Sequence, residues 1–185
     1  RCQTHLLCAP PLAGHLPHIR GSQGDGVIDL NERNMNVSDS PKRATRPIAI
    51  GIDLGTTFSL LSYLDAAGRP ISLPSSSGDL LTPSAVIVDE DEIVVGREAV
   101  KASAYNPDCY AECFKRDMGR VAVQHSVHGH HVPPEIFSAL VLERLKLDAE
   151  QRLGPVREAV ITVPAYFDEL RRKATQDAGE IAGWK

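Results

Sequence analysis

Apolar residues occupy every second position from Ile48 to Leu54, and the positions between them are small and uncharged until Asp53. Period-two alternation is typical of a β-strand, and the uncharged stretch before Asp53 predicts a central strand buried on both faces. A second apolar run at 58–64 predicts the strand that follows it. The turn between the two runs is only a few residues long.

The rest of the pattern predicts strands and helices in alternation. The predicted segments are a strand at 71–73, a hairpin made by 85–88 and 93–95, helices at 97–105 and 108–118, a helix from Pro133 to Gly154-Pro155, a strand at 159–163 and a helix from Asp168 to about 182. We expect the last helix to be capped by Asp168 and to bury Leu170, Ala174, Ala178 and Ile181. A strand with a helix on each side favours a mixed α/β sheet with flanking helices.

Residues 1–47 show no such periodicity, and three prolines interrupt their only apolar patch. This composition predicts a disordered tail rather than a secretory signal, which needs a continuous apolar region. Met35 is the first methionine, in a sequence that begins with Arg1. We therefore hypothesise that translation starts at Met35 and that residues 1–34 are not native.

Charge and length limit the possible functions. The net charge is −4; residues 1–47 carry six basic and four acidic side chains, and residues 48–185 carry fourteen and twenty. An acidic body does not favour nucleic-acid binding, which needs a basic surface. No apolar run approaches the ~20 residues of a membrane span, so we expect neither a nucleic-acid nor a membrane partner.

Four cysteines are too few for a disulfide scaffold in 185 residues, which favours a reducing, cytoplasmic location. Cys109 and Cys113 lie four apart, on one face of the predicted helix 108–118. Four histidines lie in the loop 125–131, without the spacing of a zinc motif. We expect core packing for the two cysteines and a solvated loop for the histidines, rather than a metal site.

The turn after the first strand carries the most specific chemistry. A carboxylate at the end of a buried strand needs a partner, and Gly55 allows close approach of a ligand to the backbone. Unpaired N–H groups from Gly55 to Phe58, with the hydroxyls of Thr56 and Thr57, would cradle a phosphate. Because Asp53 would repel a phosphate, a cation such as Mg²⁺ is expected between them.

Several segments, in this order, resemble the DnaK family of heat-shock protein 70 chaperones. The matching segments are Ile-Gly-Ile-Asp-Leu-Gly-Thr-Thr (50–57), Thr-Pro-Ser (82–84), Asn-Pro (106–107), Phe-Lys-Arg-x-Met-Gly (114–119), Ala-Val-Ile-Thr-Val-Pro-Ala-Tyr-Phe (159–167), Arg-x-Ala-Thr-x-Asp-Ala-Gly (172–179) and Ile-Ala-Gly (181–183). The form of the segment 114–119 is similar to the HscC branch. The resemblance covers 48–185 and implies the first lobe of an actin-like, ribonuclease-H-like ATPase, ahead of the second phosphate motif.

The resemblance also implies roles for individual residues. Asp53 would hold Mg²⁺ through water, Gly55, Thr56, Thr57 and Phe58 would line the phosphates of ATP, and Lys115 would be the catalytic lysine. The family usually has Asn or Tyr where Phe58 stands; this change does not affect binding by the main-chain N–H, but it argues against a side-chain contact at that position.

Pro164 and Arg172 match family positions that couple nucleotide state to the substrate-binding domain. Two departures lie beside them: Arg171 replaces the family's Gln, and Glu169 replaces its Asp. Either change could alter the coupling. The partners implied are unfolded polypeptides, bound by a downstream domain, a J-domain co-chaperone and a nucleotide-exchange factor.

The function expected is that of an ATP-dependent protein-folding chaperone active in the stress response. Half of an ATP cleft should bind MgATP weakly and hydrolyse it negligibly, so the ATPase activity would belong to a full-length parent protein. The alternatives are a non-catalytic interaction module, a sugar or small-metabolite kinase on the same fold, and a filament-forming actin-like protein.

Overall fold

The structure, a computed structural model, describes residues 49–90, 92–124 and 126–185. The disordered tail, the start at Met35, Cys2, Cys8 and His125 therefore lie outside the described residues. The strands are β1 (Ile50–Asp53), β2 (Phe58–Leu64), β3 (Pro70–Leu73), β4 (Thr82–Pro83), β5 (Ala85–Val88), β6 (Ile93–Val95), β7 (Tyr110–Glu112) and β8 (Ala159–Thr162). The α-helices are α1 (Arg97–Ala102), α2 (Pro134–Leu153) and α3 (Glu169–Ile181), and the 3₁₀ turns are Pro107–Cys109 and Phe114–Asp117.

The strands form two sheets. The larger sheet has the order β3-β2-β1-β8, with β4 paired to β2, and the smaller sheet has the order β6-β5-β7. Strands β1 and β8 are parallel, whereas every other described pair is antiparallel. The predicted mixed sheet with flanking helices is confirmed.

One face of the larger sheet carries the core. Ile50 and Ile52 are buried on this face, and helices α2 and α3 pack against each other in the same hydrophobic cluster. On the opposite face Asp53 is exposed and Val160 is 72% exposed. The expectation that β1 is buried on both faces is therefore wrong: within the described residues, side chains cover only one face.

The predicted helix 108–118 is also wrong. The segment contains two 3₁₀ turns on either side of β7, which pairs antiparallel with β5. Pairing with a distant strand outweighed the local helical pattern, as tertiary context often does. Cys109 and Cys113 are consequently not on one helical face.

Helix α3 begins as predicted, because the Asp168 side chain accepts the N–H of Arg171 at 2.9 Å. Its buried face differs from the prediction: Leu170 is 70% exposed and Ile181 is 44% exposed, while Ala174 and Ala178 are buried. Helix α3 packs mainly against α2, and the side chains that it buries are small. A Cβ on Gly179 would be 3.1 Å from Cδ1 of Ile161.

Helix α2 is confirmed, and Gly154 ends it with a φ of 80°, in the left-handed region that favours glycine. Helix α1 is shorter than predicted and ends at Ala102, before the Asn106-Pro107 break. No helix in the described ranges combines the length and apolar character that crossing a membrane requires.

Candidate nucleotide-phosphate site

Asp53 and Thr162 end two adjacent parallel strands, opposite each other in the register of β1 and β8. The Thr162 hydroxyl donates a hydrogen bond of 2.9 Å to Oδ1 of Asp53. Both side chains are exposed, and no described residue donates a hydrogen bond to Oδ2 of Asp53. An oriented carboxylate with a free oxygen is suited to a hard cation such as Mg²⁺ or to the waters around it.

The turn after β1 is held by two buried serines. The Gly55 N–H donates to Oγ of Ser59 at 3.2 Å, and Oγ of Ser84 donates to the Gly55 carbonyl at 2.9 Å. The two hydroxyl oxygens are themselves 2.9 Å apart. Gly55 is required sterically, since an added Cβ would collide with the Phe58 carbonyl. The network fixes the turn without using the side chains that face solvent.

This network corrects one expectation. The Gly55 N–H is not unpaired, so it is not free for a phosphate in this conformation. By contrast, no described residue accepts the N–H of Thr56 or of Thr57. The main-chain N–H groups of the two threonines therefore remain available in the turn.

Lys115 lies against the same turn. It belongs to the 3₁₀ turn Phe114–Asp117, whose Phe114 ring stacks on Phe137 with centroids 5.7 Å apart. The Lys115 ammonium donates to the main-chain carbonyl of Leu54, and the residue is only 8% exposed. Burial lowers the pKa of Lys115, and the negative charge of Asp53 opposes that effect.

A cleft of about 190 Å³ opens beside Lys115. We call it the phosphate cleft, and its lining residues are Thr56, Lys115, Arg116, Tyr166, Phe167 and Arg171. Three of these side chains are cations. The ammonium of Lys115 lies 5.8 Å and the guanidinium of Arg171 5.5 Å from the centroid of the Phe167 ring. Converging cations and a threonine suit a phosphate, because charge-assisted hydrogen bonds to phosphate oxygens are the strong ones.

Pro164 and Arg172 both contact the main chain of Phe167. The Phe167 N–H donates to the Pro164 carbonyl at 3.0 Å, and Nε of Arg172 donates to the Phe167 carbonyl at 3.0 Å. Arg172 does not line the phosphate cleft. It lines a larger cleft of about 320 Å³ between β8, α3 and the segment ending at Lys185, which is mostly apolar and contains neither Asp53 nor Lys115.

The structure thus brings Thr56 and Lys115 together in one cleft. Asp53 lies close enough for its charge to act on the pKa of Lys115. Thr57 and Phe58 are exposed and do not line it. Arg116, Arg171 and Thr162 were not among the site residues expected, and Ser59 and Ser84 were not expected to hold the turn. The sequence did indicate that Arg171 has a partner: it places this cation in the first turn of the predicted helix, where a positive charge opposes the helix dipole.

The chain is similar to a known protein family and to known chaperone proteins. The family model described as "Hsp70 protein" matches residues 49–128 and 116–185. The chain is 42% identical to a chaperone protein DnaK of Halobacterium salinarum over 136 residues, which are 73% of this chain and 22% of that protein. It is 46% identical to a chaperone protein DnaK of Mycoplasmopsis agalactiae over 139 residues, which are 75% of this chain and 23% of that protein.

The chain therefore spans less than a quarter of the length of these relatives. The comparisons do not confirm the HscC branch, which stays a prediction. The family model covers both the turn after β1 and the segment that carries Lys115. The chain belongs to the Hsp70 family, whose ATPase domain has the actin-like fold.

Proposed function

We propose that this chain is the phosphate-binding part of the nucleotide-binding domain of a DnaK-type, ATP-dependent chaperone. The observation that carries the proposal is the phosphate cleft, where three cations and Thr56 surround a space of about 190 Å³ next to the turn after β1. Membership of the Hsp70 family and the identity to DnaK chaperones support the same function.

The residues present suit MgATP. The N–H groups of Thr56 and Thr57 would donate to phosphate oxygens, Lys115 would neutralise charge on the transferred phosphoryl group, and Arg116 and Arg171 would attract the phosphates into the cleft. Asp53 would hold Mg²⁺ through water, using the Oδ2 that no described residue contacts by a hydrogen bond. When bound, Mg²⁺ supplies positive charge that offsets the repulsion between Asp53 and the phosphates.

Lys115 is suited to catalysis because its position is fixed before any ligand arrives. Its ammonium is held by the Leu54 carbonyl, so the charge need not be ordered during the reaction. A pre-positioned donor costs less reorganisation than a mobile surface lysine.

Pro164 and Arg172 would transmit nucleotide state through Phe167. Both hold the main chain of that residue, and its ring centroid is 5.8 Å from the charged group of Lys115 and 5.5 Å from that of Arg171. Loss of ATP-induced client release in an Arg172→Ala chaperone, with hydrolysis retained, would support this role.

The partners we propose are unfolded polypeptides, a J-domain co-chaperone and a nucleotide-exchange factor, and the location we propose is the cytoplasm. The two described cysteines, Cys109 and Cys113, are free thiols, which supports a reducing compartment.

The first test is calorimetric titration of the 185-residue chain with inorganic tripolyphosphate, which presents phosphates without adenosine. Hydrogen bonds to charged groups contribute about 1.5–3 kcal/mol, so Lys115→Ala should weaken binding by about tenfold or more. Lys101→Ala is the matched control, because Lys101 is an exposed lysine of α1 that pairs with Glu98. Equal affinities of the two variants would contradict the proposed cleft.

The second test replaces the matching segment of the Halobacterium salinarum DnaK with residues 49–185 of this chain. We expect the chimera to hydrolyse ATP and to refold a denatured client, and we expect Lys115→Ala but not Lys101→Ala to abolish both activities. A chimera that binds clients without ATP turnover would instead favour a non-catalytic interaction module.

A further inference from the structure

Outside the phosphate cleft, three potential metal ligands from separate chain segments meet beside the smaller sheet. They are Asp89, directly after β5, Cys109, at the end of the 3₁₀ turn Pro107–Cys109, and His128, in the loop before α2. One ligand atom from each lies within 4.8 Å of the other two. From these contacts we propose that Asp89, Cys109 and His128 form a binding site for a divalent transition-metal ion, best matched by Zn²⁺. This site goes beyond the proposed chaperone function and does not depend on it.

The imidazole of His128 is already oriented for a metal. Its Nε2 lies 2.7 Å from the carbonyl oxygen of Val88. A carbonyl only accepts hydrogen bonds, so in the neutral imidazole Nε2 carries the proton and Nδ1 keeps its lone pair. Nδ1 is the atom that faces Cys109, with 3.9 Å between it and Sγ. Metal-binding histidines are typically held in this way, by a carbonyl or carboxylate on the second ring nitrogen.

The main chain holds the same residue in place. The His128 N–H donates to the carbonyl of Asp108 at 2.8 Å, which ties the loop to the segment that carries Cys109. His128 has a φ of 51°, in the left-handed region that non-glycine residues rarely adopt. Val127 and His130 form a bridge on either side of it, and Val127 is buried. The imidazole is thus directed at the thiol by contacts that do not involve a metal.

The separations and the ligand types suit zinc. Zn–S bonds of about 2.3 Å and Zn–N bonds of about 2.0 Å at a tetrahedral angle place S and N roughly 3.5 Å apart, and the observed separation between Sγ and Nδ1 is 3.9 Å. A thiolate, an imidazole and a carboxylate form a set that favours Zn²⁺ over Mg²⁺ or Ca²⁺. Asp89 and His128 are exposed, so water can complete the coordination.

The local charge also favours a cation. Two further carboxylates are adjacent in sequence to the proposed ligands: Glu90 follows Asp89, and Asp108 precedes Cys109. A bound ion would join the β5–β6 turn, the segment before β7 and the loop before α2, and would therefore stabilise the smaller sheet. Cys113 is not part of this group of described residues, which gives the experiment a matched thiol.

The experiment uses the full 185-residue chain with Cys2→Ser and Cys8→Ser, so that the tail contributes no thiol. Titration with Co²⁺ should give the visible bands of a tetrahedral site and a thiolate-to-metal charge-transfer band in the near ultraviolet. Added Zn²⁺ should displace Co²⁺, and a competing chromophoric chelator then gives the Zn²⁺ affinity. Cys109→Ser should remove the charge-transfer band, whereas Cys113→Ser should retain it.

His128→Gln and Asp89→Asn test the other two ligands at exposed positions where folding should survive. Loss of an outer partner of a metal ligand costs about 10–100-fold in affinity, so loss of a ligand should weaken Zn²⁺ binding by more than that. His131→Gln is the control, since His131 is exposed and outside the group. The proposal is overturned if Co²⁺ gives no thiolate band, if that band survives Cys109→Ser, or if His128→Gln binds Zn²⁺ as tightly as His131→Gln does.

Discussion

The ammonium group of Lys115 donates to the main-chain carbonyl of Leu54, which joins the 3₁₀ turn Phe114–Asp117 to the end of β1. The lysine is thereby buried, although its charge lies at the wall of the phosphate cleft. Burial of a charged lysine is unfavourable unless a partner compensates for it. The pKa of Lys115 is lowered accordingly, with desolvation as the main cause.

The lowered pKa predicts a specific dependence of stability on pH. Between the folded-state pKa of Lys115 and the ordinary value of 10.5, the unfolded chain binds more protons than the folded chain. Stability therefore rises with pH in this window. We expect the free energy of unfolding of the wild-type chain, relative to Lys115→Met, to increase from neutral pH toward 10.5. Urea denaturation of both proteins at several pH values measures this difference, and Lys101→Met controls for removal of an exposed lysine. A difference that stays constant or falls would contradict the prediction.

The hydroxyl of Thr162 is expected to position Asp53 rather than to stabilise the fold. Thr162→Val removes the 2.9 Å hydrogen bond but keeps a β-branched side chain in β8. An exposed hydrogen bond contributes at most about 1 kcal/mol to stability, so the melting temperature should change little. Mg²⁺-dependent binding of tripolyphosphate should weaken in Thr162→Val and be retained in Thr162→Ser. Equal binding by both variants would show that the hydroxyl is not needed.

Gly55→Ala should distort the turn after β1. The added Cβ would meet the main-chain carbonyl of Phe58, which cannot rotate away. We expect a loss of about 1–3 kcal/mol in the free energy of unfolding, as for other overpacked sites. Gly51→Ala is the graded control, because its Cβ would meet only the Ser62 hydroxyl, at 3.2 Å, and that side chain can move. Denaturation in urea compares the two, and a larger effect at Gly51 would contradict the steric argument.

Ser84→Ala should lower the free energy of unfolding considerably, although it removes only one oxygen atom. Ser84 is 1% exposed. Removing its hydroxyl takes away one hydrogen bond from the Gly55 carbonyl and one from the Ser59 hydroxyl. Unsatisfied buried polar groups cost about 1–3 kcal/mol. Ser72→Ala, at an exposed position of β3, should stay within about 0.5 kcal/mol of wild type. Thermal or urea unfolding of both variants tests the prediction, which fails if the two serines behave alike.

Elements with a strong local pattern were predictable from the sequence. The alternation of β1, the hairpin of β5 and β6, the helical pattern of α2 and the cap of α3 each depend on residues close together in the chain. The segment 108–118 was not predictable in this way, because β7 forms only through pairing with β5. Likewise, the buried face of α3 depends on its packing against α2, which is distant in sequence and does not follow from local hydrophobicity.

The candidate site likewise has features that the sequence could predict and features that it could not. The sequence motifs identified Asp53, Thr56 and Lys115 as candidate site residues, and the structure brings Thr56 and Lys115 into one cleft. The paired state of the Gly55 N–H could not be assigned, since its acceptor Ser59 is itself held by Ser84, which lies 25 residues further along the chain. Polar networks of this kind follow from tertiary packing and not from a local pattern.

The contact between Asp53 and Thr162 spans 109 residues of chain. Closing so long a loop carries an entropic cost before any contact compensates for it, so this part of the fold should form late. During synthesis, β1 and the turn that follows it would leave the ribosome long before β8 and the start of α3. A growing chain would therefore have the loop for a phosphate well before it had the opposite wall of the cleft. Affinity for phosphate would report that this part of the chain has finished folding.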